Sequence, residues 1–217
     1  MPETMVEETS VQGHEAHAAS YVLAAAALLL NAPDEQVQVQ LRAAGAMPEQ
    51  PLESLRQSFY DRFCIPQSGL YIPPFEHVFR RRQRVGKYWH FPPARFGGGC
   101  AVEQVYERFG FEHTRVKADP ILSAPHLPGD HLGFMLAFLG WVLRGGVQVK
   151  SMPPEIVGDL RTFVAMHING WAFAYCDLLR ESEPDGYAAA VGEAVRDAIG
   201  EVNAFLAGDE GTATVPS

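Results

Sequence analysis

Residues 132 to 143 read LGFMLAFLGWVL, twelve positions at which every residue is apolar or glycine. A helix on a protein surface carries one apolar stripe, whereas a helix that is apolar all round must be enclosed all round. Twelve helical residues extend about 18 Å, too short for a hydrocarbon layer of about 30 Å. The segment therefore predicts a central core helix wrapped by other helices. Asp130 and His131 stand directly in front of it, and Gly145–Gly146 close it.

The rest of the chain supplies the wrapping. The alanine- and leucine-rich stretch from about His14 to Asn31 has strong helix propensity. Pro33 opens a second helix that Gly45 closes, and Leu52, Leu55, Phe59 and Phe63 form one apolar stripe on a third, over about Leu52–Cys64. The prolines of CIPQSGLYIPPFEHVF (64–79) make that stretch loop as far as Phe75, with FEHVFRRRQRVG a short helix ending at Gly86. KYWHFPPARFGGG (87–99) reads as a long aromatic loop, followed by a helix over Cys100–Phe109 that Gly110 ends. Pro153–Pro154 start a long helix through about Glu181, and Pro184 starts a last one to about Leu206. No window alternates like a strand except the brief GVQVKSM (146–152), which reads as loop. The expected architecture is an all-α, single-domain bundle of roughly seven to nine helices. It spans 14–207, with a disordered tail at 1–13 and a flexible one at 208–217.

Charge narrows the partners. Seventeen basic against 26 acidic residues give −9, which disfavours nucleic acid or an anionic membrane and favours a cationic partner. Cys64, Cys100 and Cys176 are far apart and form no CxxC, which suits a reducing compartment. YVLAAAALLL (21–30) follows Glu3, Glu7, Glu8 and Glu15 and no Lys or Arg, the wrong sign for a signal peptide. A cytoplasmic protein without stable membrane insertion is the expectation.

Catalytic and metal signatures are missing. His14 and His17 lie three apart but have no third ligand nearby, and no HExxH or Cys pair accompanies His113, His126 or His167. The GGG at 97–99 precedes a helix without a GxxxxGK[ST] motif or βαβ context, so it reads as a hinge and not a phosphate loop. There is no GxSxG elbow, and Cys176 sits in an apolar helical run as a structural thiol would. No cofactor, metal or catalytic residue is expected. RRRQR (80–84) is either a solvated face or a contact for an acidic partner.

Asp130 and His131 have two readings. Asp is a favoured N-cap, its carboxylate accepting first-turn N–H groups, and Pro128–Gly129–Asp130 is a competent helix start. Capping leaves His131 without a reason, so a helix cap and a functional pair both stand. A hydrolase-type enzyme with His131 as a base oriented by Asp130 is a further alternative, as is a helical interaction module.

Four segments in order carry a resemblance: YIPPFEHVF (71–79), VEQVYERFGFE (102–112), LPGDHLGFMLAFLGWVL (127–143) and HINGWAFAYCDLL (167–179). Together they resemble the TorD/DmsD/NarJ family of redox enzyme maturation chaperones, over about residues 14–207. The resemblance implies an all-helical cytoplasmic protein without enzymatic activity. Such a protein binds the twin-arginine leader of a molybdopterin-containing oxidoreductase and holds the apoenzyme until its cofactor is loaded. It implies peptide-binding roles for Asp130 and His131, and for Tyr71, Pro74, Phe75, Glu76 and Leu132. His167, Trp171 and Phe173 would build the core beside them. Phe75 stands where the family often has tryptophan, and Gly129 where an acidic residue is common. Relatives include domain-swapped oligomers, so a monomer or a swapped dimer is compatible.

Overall fold

The computed structural model describes residues 3–94, 98–124, 127–146 and 154–208. Among the described residues the fold is all-α with one small hairpin. The segment that organises it is α6, Leu132–Trp141, whose residues from Leu132 to Gly140 are all buried. Helix α1 (Glu3–Leu30) packs along α6 and also against α9 (Tyr187–Gly208), and α8 (Ala172–Ser182) packs on α9. Two glycines of α6 set the first contact. A Cβ on Gly133 would lie 2.6 Å from Leu30 Cγ, and one on Gly140 would run into Leu23. Glycine in a helix costs about 1 kcal/mol in propensity. Here it lets α1 approach closely enough to bury Val22, Ala25, Ala26 and Leu29.

Helix α1 begins at Glu3, well before His14, the start expected from sequence. Extending an existing helix adds a hydrogen bond for each residue fixed, so acidic and polar residues join at little cost. Helix α2 (Glu35–Ala43) is capped by Asp34, whose carboxylate accepts the Val37 N–H at 2.9 Å; Pro33 lies just outside. Helix α3 (Leu52–Phe59) continues through a wider π-helical turn to Cys64, as its apolar stripe predicted. Helix α5 (Cys100–Phe109) ends on Gly110 in the left-handed region, φ 74°, a conformation glycine adopts without strain. Gly145, φ 81°, ends the π turn that follows α6.

Two expectations are corrected. The short helix expected through Gly86 stops at Phe79 (α4, Glu76–Phe79), and Gln83–Val85 (β1) pairs with Tyr88–His90 (β2) in an antiparallel hairpin. Gly86 at φ 61° supplies the first position of the two-residue turn, as a type II′ turn requires. Both strands are exposed throughout, so no in–out alternation marked them in the sequence. The long helix expected through Glu181 is broken. Helix α7 (Pro154–Phe163) widens into a π-helical stretch, Val164–Asn169, and Gly170–Trp171 interrupt the path before α8. The strand-like GVQVKSM falls outside the described residues apart from Gly146, as do Gly97 and the chain after Gly208.

Candidate functional site

The extended segment before α4 lies antiparallel to the start of α6. Phe75 and His131 form an isolated bridge, the Leu132 N–H donates to the Pro74 carbonyl at 2.7 Å, and the Glu76 N–H donates to the Asp130 carbonyl at 3.1 Å. Prolines 73 and 74 suit this geometry, because a proline-restricted chain is extended and its missing N–H is not needed. The structure thus joins 71–76 to 130–132, the two segments that carry all the expected site residues.

The capping roles at this junction are exchanged. His131, not Asp130, is the N-cap of α6: its Nδ1 accepts the Gly133 N–H at 3.0 Å. Asp130 instead caps α4, from a position 53 residues away in sequence. Its Oδ2 accepts the His77 backbone N–H at 2.7 Å and contacts the His77 ring Nδ1 at 2.6 Å. The exchange follows from direction. The chain enters α6 with the Asp130 side chain turned towards α4, whose own cap residue, Phe75, has no side-chain acceptor.

Both residues are enclosed, Asp130 at 1% exposure and His131 at 0%. The His131 ring sits edge-on to Phe75, centroids 5.1 Å apart, and 5.3 Å from that of Phe134. Burial pushes its pKa down to about 3, against an opposing pull from the Asp130 carboxylate. With Nδ1 accepting, the neutral ring carries its proton on Nε2, and that buried atom has no hydrogen-bond partner; nor does Asp130 Oδ1. The glycines before α5 close the roof. A Cβ on Gly98 would lie 2.5 Å from the His77 ring, and one on Gly99 2.8 Å from the Asp130 backbone nitrogen. Only bare backbone fits there.

Around this closed floor the other expected residues divide. Phe75 and Leu132 are buried, so in this conformation they brace the floor and present no groove wall. Pro74 is buried as well, and Tyr71 is half-buried. Glu76 reaches the rim, where its carboxylate spans two cations or donors: Oε1 meets Arg80 Nε at 2.8 Å, and Oε2 meets His167 Nδ1 at 2.9 Å. Trp171, buried, donates its indole N–H to the His167 carbonyl at 2.6 Å, which places it in the core beside the site as expected. Phe173 is only half-buried, under the Arg196 guanidinium 5.5 Å from its ring.

Sequence reasoning missed three participants. His77 holds Asp130, as described above. Glu103 of α5 accepts the Gly129 N–H at 2.8 Å, and a Cβ on Gly129 would lie 2.6 Å from Glu103 Cγ. A carboxylate from α5 thus fills the space beside Gly129. Arg80 lies across the rim from Met166, donating to its carbonyl at 2.5 Å. The contacts of His77 with Asp130, of Glu103 with Gly129 and of Arg80 with Met166 have no local signal, since each joins two elements; only the Glu76–Arg80 pair, four residues apart, is local. Among the described residues no group of three or more His, Cys, Asp or Glu is arranged to hold a metal ion. No helix among them is long and apolar enough to cross a membrane.

The all-helical fold is what the four-segment resemblance implied. The family described as nitrate reductase delta subunit matches residues 27–177, most of the chain. The protein belongs to this NarJ/TorD-type family of redox enzyme maturation chaperones. No curated protein and no solved structure matches it.

Proposed function

We propose that the protein binds the twin-arginine leader of a molybdopterin oxidoreductase subunit in the cytoplasm. It holds that subunit for cofactor loading and assembly before export, without catalysing a reaction. The observation that carries this reading is the Glu76 carboxylate, held at the rim of the 71–76/130–132 junction and already engaged with a guanidinium. A carboxylate with a planar cation is the pairing that arginine recognition needs. The overall charge of −9 steers a basic leader towards the chain. In this reading Glu76 and Tyr71 meet the leader, while Asp130, His131, Pro74, Phe75 and Leu132 fix the floor on which that rim stands.

The enzyme alternative would need His131 to take up a proton from a substrate. A ring at 0% exposure whose pKa burial depresses to about 3 is a weak and inaccessible base. Co-expression with the catalytic subunit of a molybdopterin oxidoreductase from the same source tests the proposal. The apo-subunit is expected to co-purify with the chaperone, and its molybdenum content to fall when the chaperone is deleted. Co-purification that persists unchanged after the leader is removed would contradict leader recognition.

A further inference from the structure

The rim of the site contains a second relationship that the family assignment does not supply. Arg80 has its Nε on Glu76 Oε1 at 2.8 Å and one terminal nitrogen on the Met166 carbonyl at 2.5 Å. A Cβ on Gly170 would lie 2.9 Å from that terminal nitrogen, so the missing side chain is what lets the guanidinium lie against the backbone there. Three features thus converge on one planar cation: a carboxylate, a backbone carbonyl and a bare glycine. The carbonyl belongs to the π-helical stretch Val164–Asn169, near the C-terminal end of a helical path, where the peptide dipoles favour positive charge. Glu76 is further oriented by His167 on its other oxygen. The carboxylate is mostly covered, with the Glu76 side chain 12% exposed, whereas the Arg80 side chain is 40% exposed. Met166 beside them is 60% exposed, an apolar surface next to the cation.

We infer that Glu76, the Met166 carbonyl and Gly170 form a guanidinium site, and that Arg80 is a built-in placeholder which an arginine of the client displaces. The inference rests on the leader-binding reading for the identity of the incoming arginine, but not for the site itself. A partly exposed ion pair is weak, so exchange of one guanidinium for another is nearly isoenergetic. The placeholder keeps Oε1 of the mostly covered carboxylate partnered while the site is empty of client, as His167 does for Oε2, since a buried acceptor left bare is costly. It also makes the site selective. A lysine ammonium can meet Glu76, but it cannot meet the carboxylate and the Met166 carbonyl through one planar fork.

Arg80→Met tests this, because it keeps the apolar stem and removes the fork. A synthetic twin-arginine leader is titrated by calorimetry into the wild-type protein, Arg80→Met and Glu76→Gln. Separately, the melting temperatures of the wild-type protein and Arg80→Met are followed with ethylguanidinium and with ethylammonium at equal, sub-denaturing concentration. The expected results are leader binding roughly fivefold tighter in Arg80→Met, the factor by which removing a weak internal competitor raises affinity. Glu76→Gln should bind at least tenfold more weakly than wild type. Ethylguanidinium should raise the melting temperature of Arg80→Met alone, with ethylammonium doing less. Leader binding by wild type that is unchanged or weakened in Arg80→Met overturns the placeholder. Leader binding by none of the three overturns the functional reading instead. The thermal arm then decides the site independently: selective stabilisation supports it, and equal response to both cations overturns it.

Discussion

Asp130 caps a helix to which it does not belong: its carboxylate accepts the His77 N–H at 2.7 Å and contacts the His77 ring at 2.6 Å, while the neighbouring His131 caps α6. An Asp–His pair adjacent in sequence thereby splits its work between two helices. The threshold of the buried helix is a joint between elements, and Glu76, mostly covered, stands at its rim.

Removing the Asp130 carboxylate is therefore expected to damage the fold first. Asp130→Ala removes the acceptor of the buried His77 N–H and the carboxylate that lies against the His77 ring, an effect of about 3 kcal/mol by the usual range for such groups. Asp130→Asn retains one carbonyl oxygen for the His77 N–H and should lose less than half as much. Urea denaturation of the two variants measures the difference. Equal, small losses would show that the carboxylate bears no structural weight.

His131 makes stability sensitive to acid. Its folded pKa is depressed to about 3 from an ordinary 6.5, because burial disfavours the cation more than Asp130 favours it. The unfolded chain takes up a proton below about 6.5 and the folded one does not until about 3. This contribution to stability is thus complete above pH 6.5 and is lost as pH falls through that window, at up to about 1.4 kcal/mol per pH unit. Asn accepts the same capping hydrogen bond, so His131→Asn should flatten that slope between pH 6 and 4 in chemical denaturation. An unchanged slope would assign the acid sensitivity to other groups.

The three cysteines should separate by reactivity. Burial raises the thiol pKa of both Cys64 and Cys176 to about 12, so neither yields thiolate at neutral pH. Cys100 is exposed at the start of α5. An aromatic disulfide reagent at pH 7.5 is expected to label one thiol per native chain promptly and three after denaturation. Loss of the prompt phase in Cys100→Ser confirms the assignment, and prompt labelling of Cys64 or Cys176 contradicts it.

Gly99 lies against backbone over the joint. Its missing Cβ would meet the Asp130 backbone nitrogen at 2.8 Å and Asp130 Oδ1 at 3.2 Å, and backbone cannot swing aside as a side chain does. Gly99→Ala should destabilise by about 1–3 kcal/mol, the usual range for overpacking. Gly200, whose Cβ would meet nothing within 4 Å, serves as the control, and Gly200→Ala should be neutral or mildly stabilising. Thermal unfolding of both variants distinguishes a packed roof from an open one.

What was legible in the sequence was local. The apolar run 132–143, the glycine stops at Gly110 and Gly145, and the stripe of Leu55, Phe59 and Phe63 each act through neighbours within a turn or two, so their signals survive in one dimension. The hairpin 83–90 was hidden because its two three-residue strands are exposed on both faces. The break at Gly170 was hidden because a single glycine inside a helical pattern is ordinarily tolerated. At the candidate site the segments 71–76 and 130–132 were named from sequence, but the wiring between elements was not. His77 to Asp130, Glu103 to Gly129 and Arg80 to Met166 are contacts between elements far apart in the chain, with no periodicity to announce them.

The most direct test of the account is the affinity of the wild-type protein for one leader peptide in three versions, with twin arginine, twin lysine and twin glutamine, measured by calorimetry at low and at physiological salt. The account predicts tightest binding for arginine, intermediate for lysine and weakest for glutamine, with the arginine advantage persisting as salt rises because a forked hydrogen-bonding geometry is screened less than a diffuse charge. Equal affinity for all three versions would contradict it.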